Sequence, residues 1–545
     1  MMTLADHIVV APIILPLVAG GLMLLFDGRN RNAAALLSIL STFGLLAIAV
    51  RLVATSADAE TAAAAVRVYR LGDWPVQFGI VLVADRLSSL MLLLTAILGC
   101  ATLVFSLARW HGAGSFFHPL FQFLLMGLNG AFLTGDLFNL FVFFEVLLAA
   151  SYGLALHGSG YARVRAGLHY IAINLVAALV FLIGVSLIYG AAGTLNMADL
   201  AARIPGLAVR ERALFEIGAS ILGVAFLVKA AMWPLGFWLP GTYAAAGAPV
   251  AALFSIMTKI GIYVVLRLGF LLTDPESGEL ALFGQYWLLV GGIATVLFGM
   301  VGMLASQDLA KLAGFSVLVS SGTLLAVLGA DHPGTVGPSL YYLASSTLAT
   351  GAFFLLIELA ERGRTPADDL IAVTLEAYGL DGEEKPGEEG EAGVAVPAIL
   401  AVLGIAFIAC AILVSGLPPL SGFVAKFAIL AALLDWGRVQ SGVPVSLEAW
   451  ILTAVLLVSG FVTLLAMVRA GIRSFWAVIE RDVPRVRVIE LAPVAALLFL
   501  CVALTLQAGP AMRFMQATAA GLHGSGPYVG TVLSPAAPGR GGVGP

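Results

Sequence analysis

Apolar residues in this chain come in runs of about twenty, separated by short polar stretches. That is the length a helix needs to cross roughly 30 Å of hydrocarbon, whereas barrel strands would be about ten residues long and would alternate. The pattern predicts an all-α polytopic membrane protein. Fourteen candidate spans fall near 8–26, 33–53, 86–108, 117–135, 137–157, 166–190, 213–239, 247–272, 281–304, 311–330, 338–360, 397–434, 447–472 and 488–507, the twelfth long and broken. The first run, Ile8–Phe26, lacks a basic leader and a small-residue cleavage site, and reads as a retained span rather than a signal peptide. An even number of spans puts both termini on one side of the membrane.

Loop charges choose the side. Arg29 and Arg31, Arg109, Arg163 and Arg165, and Arg473, Arg481, Arg485 and Arg487 follow odd-numbered spans. Cytoplasmic loops carry the excess of arginine and lysine, so both termini are expected outside. Arg67, Arg70, Arg203, Arg210 and Arg212 follow even-numbered spans, in longer loops of mixed sign. Residues 361–396 form an expected loop whose part Glu376–Glu391 is acidic and Gly-rich, and reads as a solvated, disordered insertion. The Gly/Pro-rich stretch after Gly521 reads as an unstructured tail, with no long helix after the last span.

The composition agrees with a membrane protein and narrows its chemistry. Of 545 residues, 60% are hydrophobic and only 11% are charged, against about 25% charged in soluble proteins. A net charge of −4 gives no reason to expect nucleic acid. No phosphate-binding glycine loop is present, so ATP is not the expected energy source. Cys100, Cys410 and Cys501 each lie alone in an apolar run and read as small core residues. They offer no haem, iron–sulfur or zinc signature, and no cofactor or metal is expected.

Charges inside the spans carry the functional reading. Lys229 lies in LVKAAMWPLGFWLP, five residues before Pro234. A lysine near the middle of a span costs roughly 2.5–3.5 kcal/mol to insert. Pro234 breaks the helix where freed carbonyls can face a cavity. A buried base beside a broken helix points to an ion or proton path. Glu145 lies about 13 Å along its helix from Asp136, near the midplane if Asp136 is near an interface. Its available partners are Lys229 and Lys259, and a static pair that only orders the bundle is the plainer alternative. Lys259 lies too deep in its span to snorkel, whereas Arg267, eight residues on, is expected to snorkel. Lys426 follows Pro419 by seven residues and also lies deep beside a helix break.

Other polar residues carry weaker signals. His169 in span six is either a relay or a hydrogen-bonded packing residue. Asp308 and Lys311 bound span ten and read as a loop-facing pair. His332, in a short outer loop, is a candidate for lining an exit. A lysine suits proton relay because leaving water makes its ammonium shed the proton more readily. A carboxylate that approaches reloads the amine, and one that withdraws lets the proton go. A row Glu145–Lys229–Lys259–Lys426 can pass protons across the bundle with water between side chains. The breaks at Pro234 and at Pro418–Pro419 fall in spans seven and twelve. Five spans is an odd number, so two halves repeated at that distance are inverted in topology.

Four segments resemble a known family: TGDLFNLFVFFEVLLAASY (134–152), LVKAAMWPLGFWLPGTYAAAGAPVAALFSIMTKIGIYVVLR (227–267), DLAKLAGFSVLVSSG (308–322) and PPLSGFVAKF (418–427). They look like the proton-channel subunits of respiratory complex I and of the Mrp cation/proton antiporters. GDLFNLFVFFEVLL and the short C-terminus are most similar to the D-type antiporter subunits, including their potassium-efflux variant. The resemblance implies fourteen helices with two inverted five-helix repeats. It divides the chain into spans 1–3 (1–110), a first repeat (111–272), a second repeat carrying the acidic loop (273–472), and a last span with a flexible tail (473–545). It implies that Glu145 pairs with Lys229, that Lys259 is the central relay, and that Lys426 ends the row. It also implies a bacterial inner-membrane complex with other antiporter subunits, exchanging external protons for internal Na⁺ or K⁺. The alternative reading is a proton-pumping component of complex I or a related membrane hydrogenase, powered by electron transfer in its partners. Many relatives carry a histidine and a lysine in span eleven, where this chain has Ser346 and Thr350, whose hydroxyls support a water chain but hold no charge.

Overall fold

The computed structural model describes residues 6–26, 30–77, 79–114, 116–272, 284–330, 332–362, 398–435, 444–476 and 485–534. The acidic stretch 376–391 lies outside them, as do Arg29 and Arg481. The described residues form nineteen α-helices and one two-stranded hairpin. In chain order these are α1 (Ala11–Leu24), α2 (Arg31–Ala57), α3 (Arg86–Ser106), α4 (Phe117–Leu133), α5 (Leu137–Ala155), α6 (Tyr161–Ala192), α7 (Met197–Arg203), α8 (Val209–Lys229), α9 (Trp238–Ala245) and α10 (Ala248–Leu272). Then follow α11 (Gln285–Ala305), α12 (Leu309–Gly329), α13 (Val336–Glu361), α14 (Ala398–Ser415), α15 (Ser421–Leu434), α16 (Leu447–Gly471), α17 (Val488–Leu506), α18 (Ala508–His523) and α19 (Gly526–Leu533).

Eleven of these helices are long and apolar enough to span a bilayer. Three more, α1, α4 and α15, are apolar but shorter. The seventh expected span is α8 followed by α9, and α8 carries Arg210, Glu211, Arg212 and Glu216 in its first turns. Helices α10, α12 and α13 are almost wholly buried, while α2, α6 and α17 keep apolar residues such as Leu40, Leu179 and Phe499 exposed. This is the distribution of a bundle with a protein core and a lipid-facing rim. Helices approach closely where small residues meet, the usual device in membranes. A Cβ at Gly261 on α10 would fall 2.6 Å from the Ala230 nitrogen at the end of α8, and one at Gly292 on α11 would fall 2.3 Å from the Ala326 nitrogen on α12.

Both expected helix breaks are present, and they share a turn. At the end of α8 the Met232 N–H donates to the Leu227 carbonyl at 3.0 Å, and Ala231 is left-handed with φ 55°. At the end of α14 the Leu417 N–H donates to the Ile412 carbonyl at 3.0 Å, and Gly416 is left-handed with φ 78°. In each break the left-handed residue precedes a cis-linked proline, Pro234 or Pro419, by three positions. Such a turn ends a helix by satisfying its last carbonyls internally. A left-handed alanine costs about 1–2 kcal/mol over glycine, and Ala231 is held there by burial on all sides.

One end of the bundle is more ordered than the sequence suggests. The loop after span two folds into a hairpin, β1 (Arg67–Arg70) antiparallel to β2 (Val81–Ala84). Of the stretch expected to be an unstructured tail after Gly521, residues 522–534 are ordered and largely helical while 535–545 lie outside the described residues, and a sixteen-residue helix, α18, does follow the last span. Helix α18 buries Met515, Thr518, Ala519 and Leu522, a stripe at helical spacing within a Gly/Ala-rich stretch. Helix α19 then buries Tyr528 and Val532. Arg70 caps its end, donating to the carbonyls of Val532 at 2.9 Å and Ser534 at 2.5 Å. His7, near the other end of the chain, meets Tyr69 of the same hairpin at 3.2 Å. The described ends of the chain therefore lie on one side of the bundle. Two arginines of the loops after even-numbered spans are engaged there: Arg70 by α19, and Arg203 by Asp199 of its own helix at 2.8 Å and the Ala192 carbonyl at 3.1 Å.

Arg267 does not snorkel. It is 6% exposed and makes a two-pronged bond to Asp85, with Nη1–Oδ2 at 2.5 Å and Nη2–Oδ1 at 2.8 Å. Its guanidinium lies 5.1 Å from the centre of the Tyr528 ring. Asp85 also caps α3 by accepting the Ser88 N–H at 2.8 Å. A guanidinium enclosed this way needs a carboxylate, and Asp85 at the head of α3 supplies it.

Candidate functional site: three lysines in the bundle interior

Lys229 is the last residue of α8, at the first break. Its ammonium donates to the Asn174 Oδ1 of α6 at 2.5 Å and lies 5.7 Å from the centre of the Phe144 ring. Asn174 is oriented by its own amide, which donates to the Tyr170 carbonyl at 2.7 Å. Glu145 follows Phe144 in α5 and is half-buried. Among the described residues it forms no ion pair with Lys229, and its Oε1 is buried without a hydrogen-bond partner. The expected pair is thus adjacent but separated, with an amide holding the ammonium instead. If Asn174 seats this ammonium, Asn174→Leu lowers transport about tenfold while leaving the amount of assembled protein unchanged, since one charge-assisted hydrogen bond is worth about 1.5–3 kcal/mol. Vesicle transport rates normalised to recovered protein measure this.

Lys259 is enclosed in the core, 1% exposed, midway along α10. Its ammonium donates to the Ser320 hydroxyl of α12 at 2.7 Å, and Ser320 donates in turn to the Ser346 hydroxyl of α13 at 3.0 Å. The next residue of α12, Ser321, donates to the Ala230 carbonyl beside Lys229. Two adjacent serines of α12 therefore touch the surroundings of both lysines. The Trp233 N–H in the first break donates to the Thr295 hydroxyl of α11 at 2.8 Å. Helices of the second half thus satisfy the groups freed by the break in the first.

Lys426 lies on α15 beyond the second break, 7% exposed, and reaches back to the Ser415 carbonyl at the end of α14 at 2.8 Å. Lys229 precedes its break and reaches Asn174 of a neighbouring helix, whereas Lys426 follows its own break and its ammonium ends at the C-terminus of the helix before it. Helix carbonyl ends carry partial negative charge and favour a cation there.

The remaining expected residues divide. Asp136 is the cap of α5, accepting the Asn139 N–H at 2.9 Å. Pro234 and Pro419 are exposed within the breaks. His169 is exposed on α6 and bonded to the Arg165 carbonyl at 2.9 Å, away from the lysines' partners. Asp308 caps α12 through the Ala310 N–H at 2.8 Å, and Lys311 is exposed, with no ion pair between them among the described residues. His332 faces Asp435 at 3.7 Å. Ser346 joins the Lys259 chain, whereas Thr350 donates to the Ser346 carbonyl of its own helix at 2.8 Å. Asn174, Ser320 and Asp85 are the partners missed by sequence reasoning. Lone amides and hydroxyls in apolar runs are the signal that points to such residues.

These features define a class: a polytopic membrane protein with paired broken helices and three lysines, two of them enclosed and one half-buried, within its helix bundle. A family model described as "NADH:quinone oxidoreductase/Mrp antiporter, TM" matches residues 134–376. The chain is 54% identical over 514 residues to a probable K⁺/H⁺ antiporter protein of the D type from Rhizobium meliloti, covering 94% of this chain and 95% of that protein. It is 33% identical to the D-type Na⁺/H⁺ antiporter protein of Alkalihalophilus pseudofirmus, covering 86% and 87%. Among solved structures, a chain of the Mrp complex from Dietzia sp. DQ12-45-1b superposes with a TM-score of 0.82 at 27% identity, covering 98% of this chain and 100% of that one. A chain of respiratory complex I from Thermus thermophilus shares the fold, with a TM-score of 0.72 at 23% identity over 97% and 100%. The chain belongs to the membrane-protein family common to the Mrp antiporters and complex I, and within it to the D-type antiporter subunits.

Proposed function

We propose that this chain is the proton-translocating D-type subunit of a multisubunit Na⁺/H⁺ or K⁺/H⁺ antiporter, a transporter component rather than an enzyme. Protons pass along Glu145, Lys229, Lys259 and Lys426, and the exchange is driven by the proton gradient. The observation that carries this reading is the character of the lysines' partners. Each of the three ammonium groups rests on a neutral oxygen: the Asn174 amide, the Ser320 hydroxyl, or the Ser415 carbonyl. An ammonium held this way can give up its proton without stranding a bonded carboxylate in the interior. Arg267 is the opposite case, locked onto Asp85 and never deprotonated, and its role is structural.

Two inverted five-helix repeats account for the arrangement, the first ending with α10 and the second with α16. An aspartate followed by leucine caps the second helix of each, Asp136 on α5 and Asp308 on α12, and the same turn breaks the fourth. The repeats occupy 111–272 and 273–472, preceded by 1–110 and followed by 473–545. The chain sits in the bacterial inner membrane with both termini outside, among the other subunits of the antiporter.

The reading is tested in inverted vesicles from an antiporter-deficient host expressing the whole operon. Na⁺ and K⁺ are added separately, and dissipation of the pH gradient is followed. A response to either identifies the coupled cation. No response to either from a complex shown to be assembled overturns the antiporter reading in favour of a redox-driven pump.

A further inference from the structure

Helix α13 carries Ser345, Ser346 and Thr350. Ser345 and Ser346 face two different partners. Ser346 accepts from Ser320, which itself holds the Lys259 ammonium. Ser345 shares a 2.8 Å hydrogen bond with Ser421, the first residue of α15, which carries Lys426 five residues later. Two hydroxyl pairs therefore leave α13 in opposite directions, one ending at Lys259 and the other heading the helix of Lys426. Ser345 and Ser421 are enclosed, while Ser346 is partly accessible among neighbours in α13 that are not. A water-sized molecule thus reaches Ser346 inside the bundle. Tyr342 lies beside both Ser320 and Thr323, and the hydroxyl of Ser339, two turns from Ser346, is buried with no protein partner among the described residues. Buried hydroxyls of this kind are where ordered water is found.

We propose that Ser320, Ser346, Ser345 and Ser421 form a neutral proton wire between Lys259 and Lys426. This rests on the relay reading above. The Lys259 ammonium gives one proton to Ser320, whose own proton moves to Ser346. A bound water carries the proton from Ser346 to the Ser345–Ser421 pair, and a second water carries it from there to the Lys426 amine. Lys259 ends as an amine and Lys426 as an ammonium. Each hydroxyl keeps one proton and turns back before the next passage. Hydroxyls donate and accept at once, which is all such a wire requires.

The test compares Ser346→Ala, Ser346→Thr, the double variant Ser345→Ala/Ser421→Ala, and Lys259→Ala in the vesicle assay, with rates normalised to recovered complex. The double variant removes both members of a pair, so neither hydroxyl is left unpaired. Ser346→Ala and the double variant are expected to lose at least about tenfold in rate. Ser346→Thr, which keeps the hydroxyl, is expected to restore most of it, an outcome that loss of packing would not produce. Full activity in the alanine variants beside an inactive Lys259→Ala overturns the wire and leaves the lysine relay standing. A loss that threonine does not restore also overturns it. Activity in Lys259→Ala would instead remove the relay reading itself.

Discussion

Replacing Lys259 with alanine abolishes cation-driven proton movement, with a fall of at least about a hundredfold, while the assembled complex stays in the membrane. A positioned acid–base group contributes about 10²–10⁴ in rate. Lys259 is the enclosed group whose hydrogen bond leads into the α12–α13 hydroxyls. The sharper variant is Lys259→Arg. Arginine keeps a positive charge but does not release its proton. If Lys259 only ordered the core by its charge, arginine would preserve part of the activity. The relay account expects Lys259→Arg to be as inactive as Lys259→Ala, measured as the rate of pH-gradient dissipation per recovered complex. Substantial transport by the arginine variant would contradict it.

Asp85→Ala has the largest expected effect on stability. Breaking a buried, hydrogen-bonded ion pair costs about 3–5 kcal/mol because the remaining charge is left uncompensated. Here the change also removes the cap of α3 and loosens the site where Tyr528 of α19 covers Arg267. The expected result is little recovered complex and a lowered thermal midpoint. The double variant Asp85→Ala/Arg267→Leu should regain much of the loss, since no unpaired charge remains. Normal stability of Asp85→Ala alone would show that the pair contributes little, and equal instability of the double variant would show that the cap matters more than the charge.

These two residues also mark what can be read in the sequence. Lys259 stands out because a charge within an apolar run is costly wherever the fold places it. Lys229 and Lys426 stand out for the same reason, and Pro234 and Pro419 locate the breaks because proline ends a helix without tertiary help. Asp85 does not stand out, since a charged residue at the head of a span is ordinary. Its partner is 182 positions away. Arg267 departs from expectation on the same account: position within a span indicates depth, not whether a carboxylate waits there. Asn174 and Ser320 are 55 and 61 positions from the lysines they hold, and small polar residues are common in membrane helices. The last helices are hidden by Gly/Pro-rich composition, because what orders them is Arg70, Arg267 and Phe270, the last meeting the tilted His523 ring with centroids 4.6 Å apart. The shared turn of the two breaks is equally invisible, since one uses alanine and the other glycine at the left-handed position.

The central claim is that protons cross this chain through its three bundle lysines. The most direct measurement compares wild type with Lys229→Ala, each expressed with the full operon in an antiporter-deficient host, by Na⁺- or K⁺-induced dissipation of the pH gradient in inverted vesicles. The account predicts a wild-type response to at least one cation and none from an equal amount of assembled Lys229→Ala complex. An undiminished response from the variant would contradict it and leave the lysine as part of the architecture alone.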